Sequence, residues 1–475
     1  MPVSKIFKIY CAGHFIATPE LLAVYNPYDG SEVATTYLAG DAELEKAITA
    51  ALTVAEELRK TPSFKRYDIL KQISEALLAQ RQQFAELISL ESGKPIRYAL
   101  AETDRSIQTF AVAAEESRRL PAEYISIDWT AAGAGKEGLV KYFPVGVVAG
   151  IAPFNFPLNL AVHKIAPAIA AGCPIILKPS GTTPLSTLML AQIIDRTALP
   201  KGAVSILPMS RQTGNRLVTG DRISLLSFTG SPEVGWKMKR DAGKKKVVLE
   251  LGGNAGVIIS NGADLDAAVA KCVVGGFSYS GQVCIHTQRI YVLNDLFEEF
   301  ARKFVEKVQQ LKPGNPLDPQ IDMAVMIDLA NAERVESWVN EAVAAGAKIL
   351  AGGKREGSFM QPTVLTGTLE EMQVCSSEVF GPVVVIEPVA SFAEAIKRIN
   401  SGRFGLQAGV FTNSISEMNQ AFDQLQVGGV IINDVPTFRV DHMPYGGIKD
   451  SGLGREGVKY AIMDMMEPRL LVKSC

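Results

Sequence analysis

The spacing of hydrophobic positions changes part-way along the chain. From about residue 41 to residue 119, apolar side chains recur three and four positions apart, which is the spacing of amphipathic helices. The segment DAELEKAITAALTVAEELRK begins at Asp41, a favourable N-cap residue. The segment FKRYDILKQISEALLAQRQQFAELISLESGK has the same spacing and stops at Gly93, with Pro95 just beyond. These patterns predict a helical start to the fold.

From Val145 onward, short apolar runs alternate with helical stretches. The runs are VGVVAGIA, PIILK, AVSIL, ISLLSF and KVVLEL, and each is apolar throughout rather than at every second residue. Such runs are typical of parallel strands that are buried on both faces, so we predict a doubly wound α/β sheet. A second alternation after Gly253 predicts a second α/β domain, and the tail MEPRLLVK reads as one more strand.

Composition narrows the class of protein. The chain has 475 residues, 47% hydrophobic and 21% charged, with a formal net charge of −2. We expect two or three domains, and no positive field that would attract nucleic acid or an anionic membrane. No apolar run reaches the roughly 20 residues that a membrane span needs, and MPVSKIFKIY lacks the pattern of a secretory signal. These features predict a cytoplasmic enzyme.

Cysteine and histidine positions give no sign of disulfide staples or of a metal. The six cysteines lack CxxC spacing, so reduced thiols are the simpler interpretation. His14, His163 and His442 have no metal-ligand spacing, and we expect no metal.

A glycine-rich segment is a candidate phosphate site, although the usual GxGxxG fingerprint is absent. Gly230-Ser231-Pro232-Glu233-Val234-Gly235 joins a predicted strand to a helix, and Ser231 suits the N-cap. Free N–H groups at a helix start attract anions, so a pyrophosphate could bind there, but an ordinary strand-to-helix turn explains the segment equally well. A P-loop fits less well, because Trp236 and Lys237 replace its required residues.

Seven short segments together resemble the NAD(P)-dependent aldehyde dehydrogenase superfamily. In chain order they are Pro153-Phe154-Asn155-Phe156-Pro157, Lys178-Pro179-Ser180, Phe228-Thr229-Gly230-Ser231, Glu250-Leu251-Gly252-Gly253, Gly281-Gln282-Val283-Cys284, Glu378-Val379-Phe380-Gly381-Pro382 and Pro444-Tyr445-Gly446-Gly447-Ile448-Lys449. Each is modest evidence alone, but their order and spacing are specific. The resemblance runs from about residue 20 to the C-terminus.

The resemblance implies an architecture of three parts. A Rossmann-type cofactor domain would comprise residues 1–120 and 141–252, and a second α/β catalytic domain would comprise residues 253–434. Residues 121–140 and 435–475 would form a small β oligomerisation element and a C-terminal arm, with 121–140 pairing to the strand 466–473. Because such an extension has exposed edges, we expect a homodimer or homotetramer.

The resemblance also implies three catalytic residues. Cys284 would add to the aldehyde, so that the resulting alkoxide loses hydride and leaves a thioester. Asn155 would stabilise the alkoxide together with the backbone N–H of Cys284. Glu250 would activate the water that cleaves the thioester. Without the resemblance, a packed thiol, a loop-shaping Asn and a solvated strand-end Glu would each be the simpler interpretation.

The family's cofactor contacts carry over to a longer set of positions. They are Ala152, Pro153, Phe154, Lys178, Ser180, Gly181, Phe228, Thr229, Gly230, Ser231, Leu251, Glu378 and Phe380. Lys178 and Glu378 would contact the two riboses. Many NAD-preferring members carry Glu where this chain has Gly181, and that Glu would repel a 2′-phosphate. We therefore expect NADP to be accepted, with dual use of NAD and NADP.

The aldehyde is less well defined by the sequence. The general pattern is closest to members acting on small hydroxylated or anionic aldehydes, of the lactaldehyde or succinic semialdehyde type. His286, Phe438, Arg439 and Arg105 are candidate substrate contacts, because their segments border the family's substrate funnel. A packed histidine explains His286 equally well, and a surface ion pair is the alternative for each arginine.

Two rival functions remain. One is a CoA-acylating or glutamate-semialdehyde-type relative, although Glu250 in the base position favours hydrolysis. The other is a non-catalytic binding or crystallin-like role, against which the combination of Cys284, Glu250 and Asn155 argues.

Overall fold

A computed structural model describes residues 6–474 of the chain. The first five residues and Cys475 lie outside the described part. The predictions about a secretory signal and about the Cys475 thiol therefore fall partly or wholly on residues that the structure does not describe. The five described cysteines carry free thiols. Among the described residues, no helix is both long enough and apolar enough to cross a membrane.

The helices alternate with strands along most of the chain. In chain order they are α1 (Asp41–Lys60), α2 (Ser63–Ala79), α3 (Arg81–Ser92), α4 (Ile96–Ser117), α5 (Asn159–Ala171), α6 (Leu185–Asp195), α7 (Arg211–Thr219), α8 (Pro232–Asp241), α9 (Leu265–Phe277), α10 (Asn294–Val308), α11 (Leu329–Ala344), α12 (Gln373–Ser376), α13 (Phe392–Asn400), α14 (Ile415–Gln424) and α15 (Val458–Asp464). Two 3₁₀ turns span Ala131–Gly133 and Ser278–Gly281.

The strands belong mainly to two large sheets and one small one. They are β1 (Ile9–Cys11), β2 (His14–Ile16), β3 (Leu21–Tyr25), β4 (Glu32–Tyr37), β5 (Ala122–Ser126), β6 (Lys136–Pro144), β7 (Val148–Ile151), β8 (Ile175–Lys178), β9 (Val204–Ile206), β10 (Leu225–Thr229), β11 (Lys246–Glu250), β12 (Ala255–Ile259), β13 (Thr287–Leu293), β14 (Lys348–Ala351), β15 (Arg355–Glu356), β16 (Phe359–Met360), β17 (Thr363–Thr366), β18 (Val383–Val389), β19 (Phe404–Gly405), β20 (Gln407–Phe411), β21 (Gly429–Ile432), β22 (Ile448–Lys449), β23 (Gly452–Leu453) and β24 (Met466–Ser474).

The first large sheet has the order β2-β1-β9-β8-β7-β10-β11-β23. Its middle strands, from β9 to β11, are parallel, whereas β1, β2 and β23 are added antiparallel at the edges. The apolar runs of the sequence form the middle strands because both of their faces are covered.

The second large sheet has the order β14-β17-β18-β13-β12-β20-β21 and is parallel from β17 to β21. A separate three-stranded sheet has the order β24-β6-β5. Strand β24 pairs antiparallel with β6 along its whole length, from Met466 opposite Pro144 to Ser474 opposite Lys136. Strand β24 therefore pairs with a strand that lies more than 300 residues earlier in the chain.

The helical start differs from the sequence prediction in two details. The second predicted helix is divided into α2 and α3 at Gln80, whose φ of −114° and ψ of 16° depart from helical geometry. Helix α3 ends at Gly93, which adopts the left-handed conformation at φ 68°. The N-cap of α1 is Gly40 rather than Asp41, because the Glu43 carboxylate accepts a 2.8 Å hydrogen bond from the Gly40 N–H.

Candidate active site

Two adjoining cavities open where the parallel strands of the first sheet end. The larger, of about 1070 Å³, contains Lys178 at the end of β8, and the smaller, of about 530 Å³, contains Glu250 at the end of β11. Pro153, Phe154, Thr229, Gly230 and Ser231 line both cavities. Ligands of doubly wound sheets bind at the carboxyl ends of strands, so the position is that of a ligand site.

Cys284 lines the smaller cavity and is half-buried. Its Sγ lies 3.0 Å from the Tyr445 hydroxyl oxygen. Burial raises the pKa of the Cys284 thiol to about 11, while the Tyr445 hydrogen bond and the positive charge of Arg439 act in the opposite direction. The resting thiol is therefore protonated near neutral pH, and attack requires a proton acceptor.

The turn before Cys284 has an unusual backbone conformation. Tyr279 and Ser280 have φ angles of 49° and 52°, in the left-handed region that non-glycine residues rarely adopt. The Tyr279 hydroxyl donates to the Ser92 carbonyl at 3.1 Å, and the Ser280 hydroxyl donates to the Ala324 carbonyl at 2.7 Å. These contacts hold a conformation that the sequence alone disfavours.

Asn155 lines the same cavity and is only 3% exposed. One N–H of its amide donates to the Gln282 carbonyl at 3.0 Å, which ties the Asn155 loop to the turn before Cys284. A primary amide has two N–H donors, so one remains for a ligand. Asn155 therefore combines a fixed orientation with an available donor.

Glu250 is buried at the end of β11 with both carboxylate oxygens lacking a hydrogen-bond partner among the described residues. Burial raises the pKa of Glu250 well above its usual value, and the negative charge of Glu456 adds to this effect. A Cβ atom at Gly446 would lie 2.9 Å from a Glu250 oxygen, so the glycine leaves room for the carboxylate. An unpartnered carboxyl in a cavity is suited to accept a proton.

A buried ionic cluster lies beside this carboxyl. Glu456 accepts from Lys164 at 3.3 Å and from Arg439 at 2.9 Å. The Arg439 guanidinium also stacks 3.7 Å from the centre of the Tyr445 ring. One aromatic ring therefore separates a buried cation from the Cys284 sulfur.

The glycines after Glu250 allow close packing against two other loops. A Cβ at Gly252 would lie 2.1 Å from a Glu378 oxygen, and a Cβ at Gly253 would lie 2.4 Å from the Cys284 carbonyl oxygen. Glu378 also accepts from the Gly253 N–H at 3.0 Å, and burial raises the pKa of this carboxyl to about 8. The two glycines thus bring three of the sequence motifs together.

The predicted cofactor residues all line one or both cavities. Those of the larger cavity are Ala152, Pro153, Phe154, Lys178, Ser180, Gly181, Phe228, Thr229, Gly230 and Ser231. Leu251, Glu378 and Phe380 line the smaller one, where the rings of Phe154 and Phe380 meet edge to face at 5.8 Å. Residues from five stretches of the sequence therefore line two adjoining cavities.

Comparison with known proteins identifies the fold and its chemistry. The profile of the aldehyde dehydrogenase family matches residues 16–471, nearly the whole chain. This chain belongs to the aldehyde dehydrogenase family. As a member, it is an NAD(P)-dependent enzyme that oxidises an aldehyde to a carboxylic acid.

Three similar proteins illustrate the relationship. The 3-sulfolactaldehyde dehydrogenase of Priestia aryabhattai is 41% identical over 470 residues, which are 98% of each chain. The crystal structure of aldehyde dehydrogenase 21 from Physcomitrella patens, in complex with the reaction product succinate, has 44% identity, a TM-score of 0.98 and 99% coverage of both chains. The glyceraldehyde-3-phosphate dehydrogenase of Methanocaldococcus jannaschii, complexed with NADP, has 38% identity, a TM-score of 0.92 and coverage of 96% of this chain and 99% of that one.

The larger cavity of this aldehyde dehydrogenase has features suited to binding an anionic cofactor. Helix α8 begins beside it, and the side chain of its N-cap residue, Ser231, does not cap the helix, so the first N–H groups are available to an anion. A Cβ at Gly181 would meet no atom within 4 Å, so that position leaves open space. Among the described residues, no cluster of ligands suited to a metal ion was found.

Arg211 is a cavity residue that the sequence interpretation did not identify. It is the first residue of α7 and lines the larger cavity with Lys178, Ser180 and Gly181. Burial lowers the pKa of Lys178, and the positive charge of Arg211 lowers it further. The second cation of this cavity therefore comes from a segment about 30 residues beyond Ser180.

None of the four predicted substrate contacts lines either of the two cavities, and two of them face other parts of the molecule. His286 is 4% exposed and its Nε2 is 2.9 Å from the Gly276 carbonyl, so it packs in the interior instead of lining the Cys284 cavity. Burial lowers the pKa of His286 to about 4, which makes it neutral. Phe438 is 46% exposed and borders a separate surface groove with Lys271 and Val274. The prediction that these two residues contact substrate does not fit their positions.

The two predicted arginines lie in one ionic network. Arg105, on α4, bonds Asp441 at 2.7 Å, and Asp441 also lies 2.7 Å from His163 Nε2. His163 is in turn 3.3 Å from Arg439. Arg105 is partly exposed, with 28% of its side chain accessible, whereas Arg439 is 5% exposed. Each arginine already has a carboxylate partner, so an anionic ligand would compete with Asp441 or Glu456.

Proposed function

We propose that this aldehyde dehydrogenase oxidises a small aldehyde with an anionic tail, of the succinic semialdehyde type, through a thioester on Cys284. The observation that carries the proposal is the buried cation beside the nucleophile: Arg439 stacks on Tyr445, whose hydroxyl touches the Cys284 sulfur. Arg105 adds a second, more accessible cation in the same network. The three similar proteins act on or bind compounds that carry a sulfonate, a carboxylate or a phosphate.

In the first step, the Cys284 sulfur adds to the aldehyde carbon as its proton passes to a base in the cavity. Glu250 lines that cavity and its oxygens are unpartnered, so it is the proposed acceptor, directly or through water. The free N–H of Asn155 would stabilise the resulting alkoxide; loss of one such donor typically costs roughly 10²–10³ in rate. The nicotinamide cofactor, when bound, accepts the hydride.

In the second step, after Glu250 has released the Cys284 proton to solvent, the thioester is cleaved by water and Glu250 accepts the proton of that water. The raised pKa of Glu250 makes it a stronger base than a solvated carboxylate. A CoA-acylating enzyme would instead need a thiol acceptor, so turnover in the absence of CoA distinguishes the two reactions.

We also propose that NADP is accepted in preference to NAD. The open space at Gly181 leaves room for a 2′-phosphate, and Lys178 and Arg211 supply two positive charges in the same cavity. Replacing Arg211 with Ala should lower kcat/KM for NADP by about 10–100-fold, the value of one charge-assisted hydrogen bond, and leave kcat/KM for NAD nearly unchanged. Equal losses with both cofactors, or a parent enzyme that strictly requires NAD, would contradict this assignment.

The enzyme is further proposed to be a cytoplasmic homodimer or homotetramer. Leu470, Leu471 and Val472 on β24 are each about half exposed, so this strand presents apolar side chains on a sheet whose edge is open. A nucleophilic thiol and four other free thiols suit a reducing compartment.

A pair of substrates of matched length tests the proposed specificity. Succinic semialdehyde carries a carboxylate, whereas butanal has the same number of carbons and no charge; lactaldehyde serves as a neutral hydroxylated comparison. We expect kcat/KM to be highest for succinic semialdehyde, and Arg105→Ala to lower that value by about 10–100-fold while butanal is hardly affected. Arg97→Ala, on the same helix but paired with Asp322, is the control. Equal effects on charged and uncharged substrates would contradict an anion site.

A further inference from the structure

Lys94 is a fully buried lysine that lines neither of the two cavities. It lies in the short turn between α3 and α4, directly after Gly93. The Ser89 hydroxyl donates to the Lys94 carbonyl at 2.7 Å, and the Lys94 N–H donates to the Ser92 hydroxyl at 3.3 Å. The backbone from which this side chain extends is therefore fixed.

The Lys94 ammonium group contacts the loop that carries Asn155. It donates to the Asn155 carbonyl at 2.6 Å and to the Glu102 carboxylate. The ammonium also lies 3.9 Å from the centre of the Phe156 ring. One cation thus contacts both the Asn155 carbonyl oxygen and the side-chain ring of the next residue, Phe156.

Its partner, Glu102, holds the end of the same loop. The second oxygen of Glu102 accepts the N–H groups of Leu158 and Asn159 at 3.0 and 3.1 Å, at the start of α5. The ion pair therefore fixes residues from Asn155 to Asn159 from two directions.

Lys94 also reaches the turn that precedes Cys284. Its ammonium lies 4.5 Å from the centre of the Tyr279 ring, and the Tyr279 hydroxyl donates to the Ser92 carbonyl two residues before Lys94. Tyr279 has a backbone conformation in the left-handed region, which is unfavourable for a non-glycine residue. These two contacts help to stabilise that conformation. Lys94 therefore contacts both the Asn155 loop and the turn that precedes Cys284.

Stability alone does not account for such a pair. Burying a lysine is costly, and a buried ion pair often contributes little more to stability than apolar residues of the same volume. The placement of catalytic groups is more demanding, because an error of about 1 Å can cost about 10² in rate. We propose that Lys94 is a positioning residue that sets the location of the Asn155 amide relative to the Cys284 sulfur during thioester formation.

The test compares Lys94→Met with two further variants. Lys94→Met/Glu102→Gln removes both charges, so that no unpaired carboxylate remains buried. Arg66→Met is the control, because Arg66 is a half-buried cation that donates to the Ala170 carbonyl at the other end of α5. For each variant, rapid mixing of enzyme, NADP and aldehyde gives the burst rate of NADPH formation, and fluorescence titration gives the Kd for NADPH.

We expect both Lys94 variants to lose roughly 10²-fold in burst rate while the Kd for NADPH stays within about twofold. Arg66→Met should keep the parent burst rate even if its thermal stability falls as far as that of the Lys94 variants. A burst rate within about twofold of the parent in Lys94→Met/Glu102→Gln overturns the proposal, as does an equal loss in Arg66→Met.

The inference rests on the proposed role of Asn155, and a double-mutant cycle separates the two. If Lys94 acts through Asn155, then Lys94→Met should cause little further loss in an Asn155→Ala background. Losses that multiply would show a role independent of Asn155 and overturn the inference. An unchanged burst rate in Asn155→Ala alone would instead overturn the oxyanion role in the proposed function.

Discussion

At the scale of single residues, the site contains a charged side chain that comes from one of the most apolar segments of the sequence. Lys164 occurs in NLAVHKIAPAIAAG, a helix that is buried along its whole length. Its ammonium reaches Glu456, 292 positions away, and also bonds Thr229 at 2.8 Å. A lysine inside an apolar helix signals a buried partner, but the sequence does not say which carboxylate it pairs with.

The charge of Glu456 affects the base strength of Glu250. Burial raises the pKa of Glu250 most, the negative charge of Glu456 raises it further, and Lys164 and Arg439 lower it. Glu456→Gln removes one of the two raising contributions and leaves both lowering ones, so the pKa of Glu250 should fall. Thioester hydrolysis requires the ionised carboxyl, and its pH profile should therefore reach half-maximum at a lower pH.

The measurement is the deacylation rate between pH 5 and pH 9, with Glu467→Gln as the control, because Glu467 is exposed and pairs with Lys246. A profile that stays in place, or moves to higher pH, would show that Glu456 does not act on the hydrolytic base.

The Tyr445 hydroxyl affects the acidity of the proposed nucleophile, Cys284. Its hydrogen bond lowers the pKa of the Cys284 thiol against the effect of burial. Tyr445→Phe keeps the ring beneath Arg439 and removes only this donor, so the thiol pKa should rise and alkylation by iodoacetamide at pH 8 should slow by about tenfold. Tyr28→Phe, at an exposed position, is the control. Alkylation at the parent rate would mean that the hydroxyl does not stabilise the thiolate.

At the scale of elements, local patterns predicted the kind of element better than its ends. The apolar runs after Val145 form the expected parallel strands because full burial leaves a continuous apolar signal. The break at Gln80 had no comparable signal, since neither glycine nor proline marks it. The position of the N-cap of α1 at Gly40 depends on a hydrogen bond from the Gly40 N–H to the Glu43 carboxylate. Helical periodicity alone does not reveal such a contact.

Loss of that side chain should loosen the first turn of α1. Glu43→Ala removes the hydrogen bond to the Gly40 N–H, at a cost of about 1 kcal/mol, so amide exchange there should accelerate by about fivefold. Hydrogen–deuterium exchange of peptides covering residues 38–46 measures this effect. Glu57→Ala, an exposed substitution further along α1, should leave these peptides unchanged. Equal exchange in the parent and Glu43→Ala would show that the contact does not hold the helix start.

At the scale of the whole molecule, the site is assembled from contacts that no local pattern encodes. The family motifs predicted Asn155, Glu250, Cys284 and part of the lining of the two cavities from the sequence, because their order and spacing are specific. The placement of Arg211 beside Lys178 depends on how α7 packs against the end of β8, and it was missed. His286 was misplaced because sequence proximity to the nucleophile does not determine which way a side chain faces.

The proposed assembly can be tested at the exposed edge of β24. Leu470→Lys/Val472→Lys places two charges on one face of this strand, where burial between subunits would make them costly. We expect sedimentation to show a smaller particle than the parent enzyme forms, with secondary structure retained. Leu78→Lys, at an exposed position of α2, is the control. A parent that sediments as a monomer would contradict the proposed oligomer.

The most direct test of the central claim is to trap the acyl group on its sulfur. In Glu250→Gln, water can still take the Cys284 proton, so the thioester should form, although more slowly than in the parent. Its hydrolysis should slow further, because the attacking water lacks its base. After brief mixing with NADP and succinic semialdehyde, followed by acid quenching, mass spectrometry should find a succinyl group on the peptide that contains Cys284, with about one NADPH formed per subunit. An acyl group on another residue, or steady turnover with no acylated Cys284 peptide, would contradict the account.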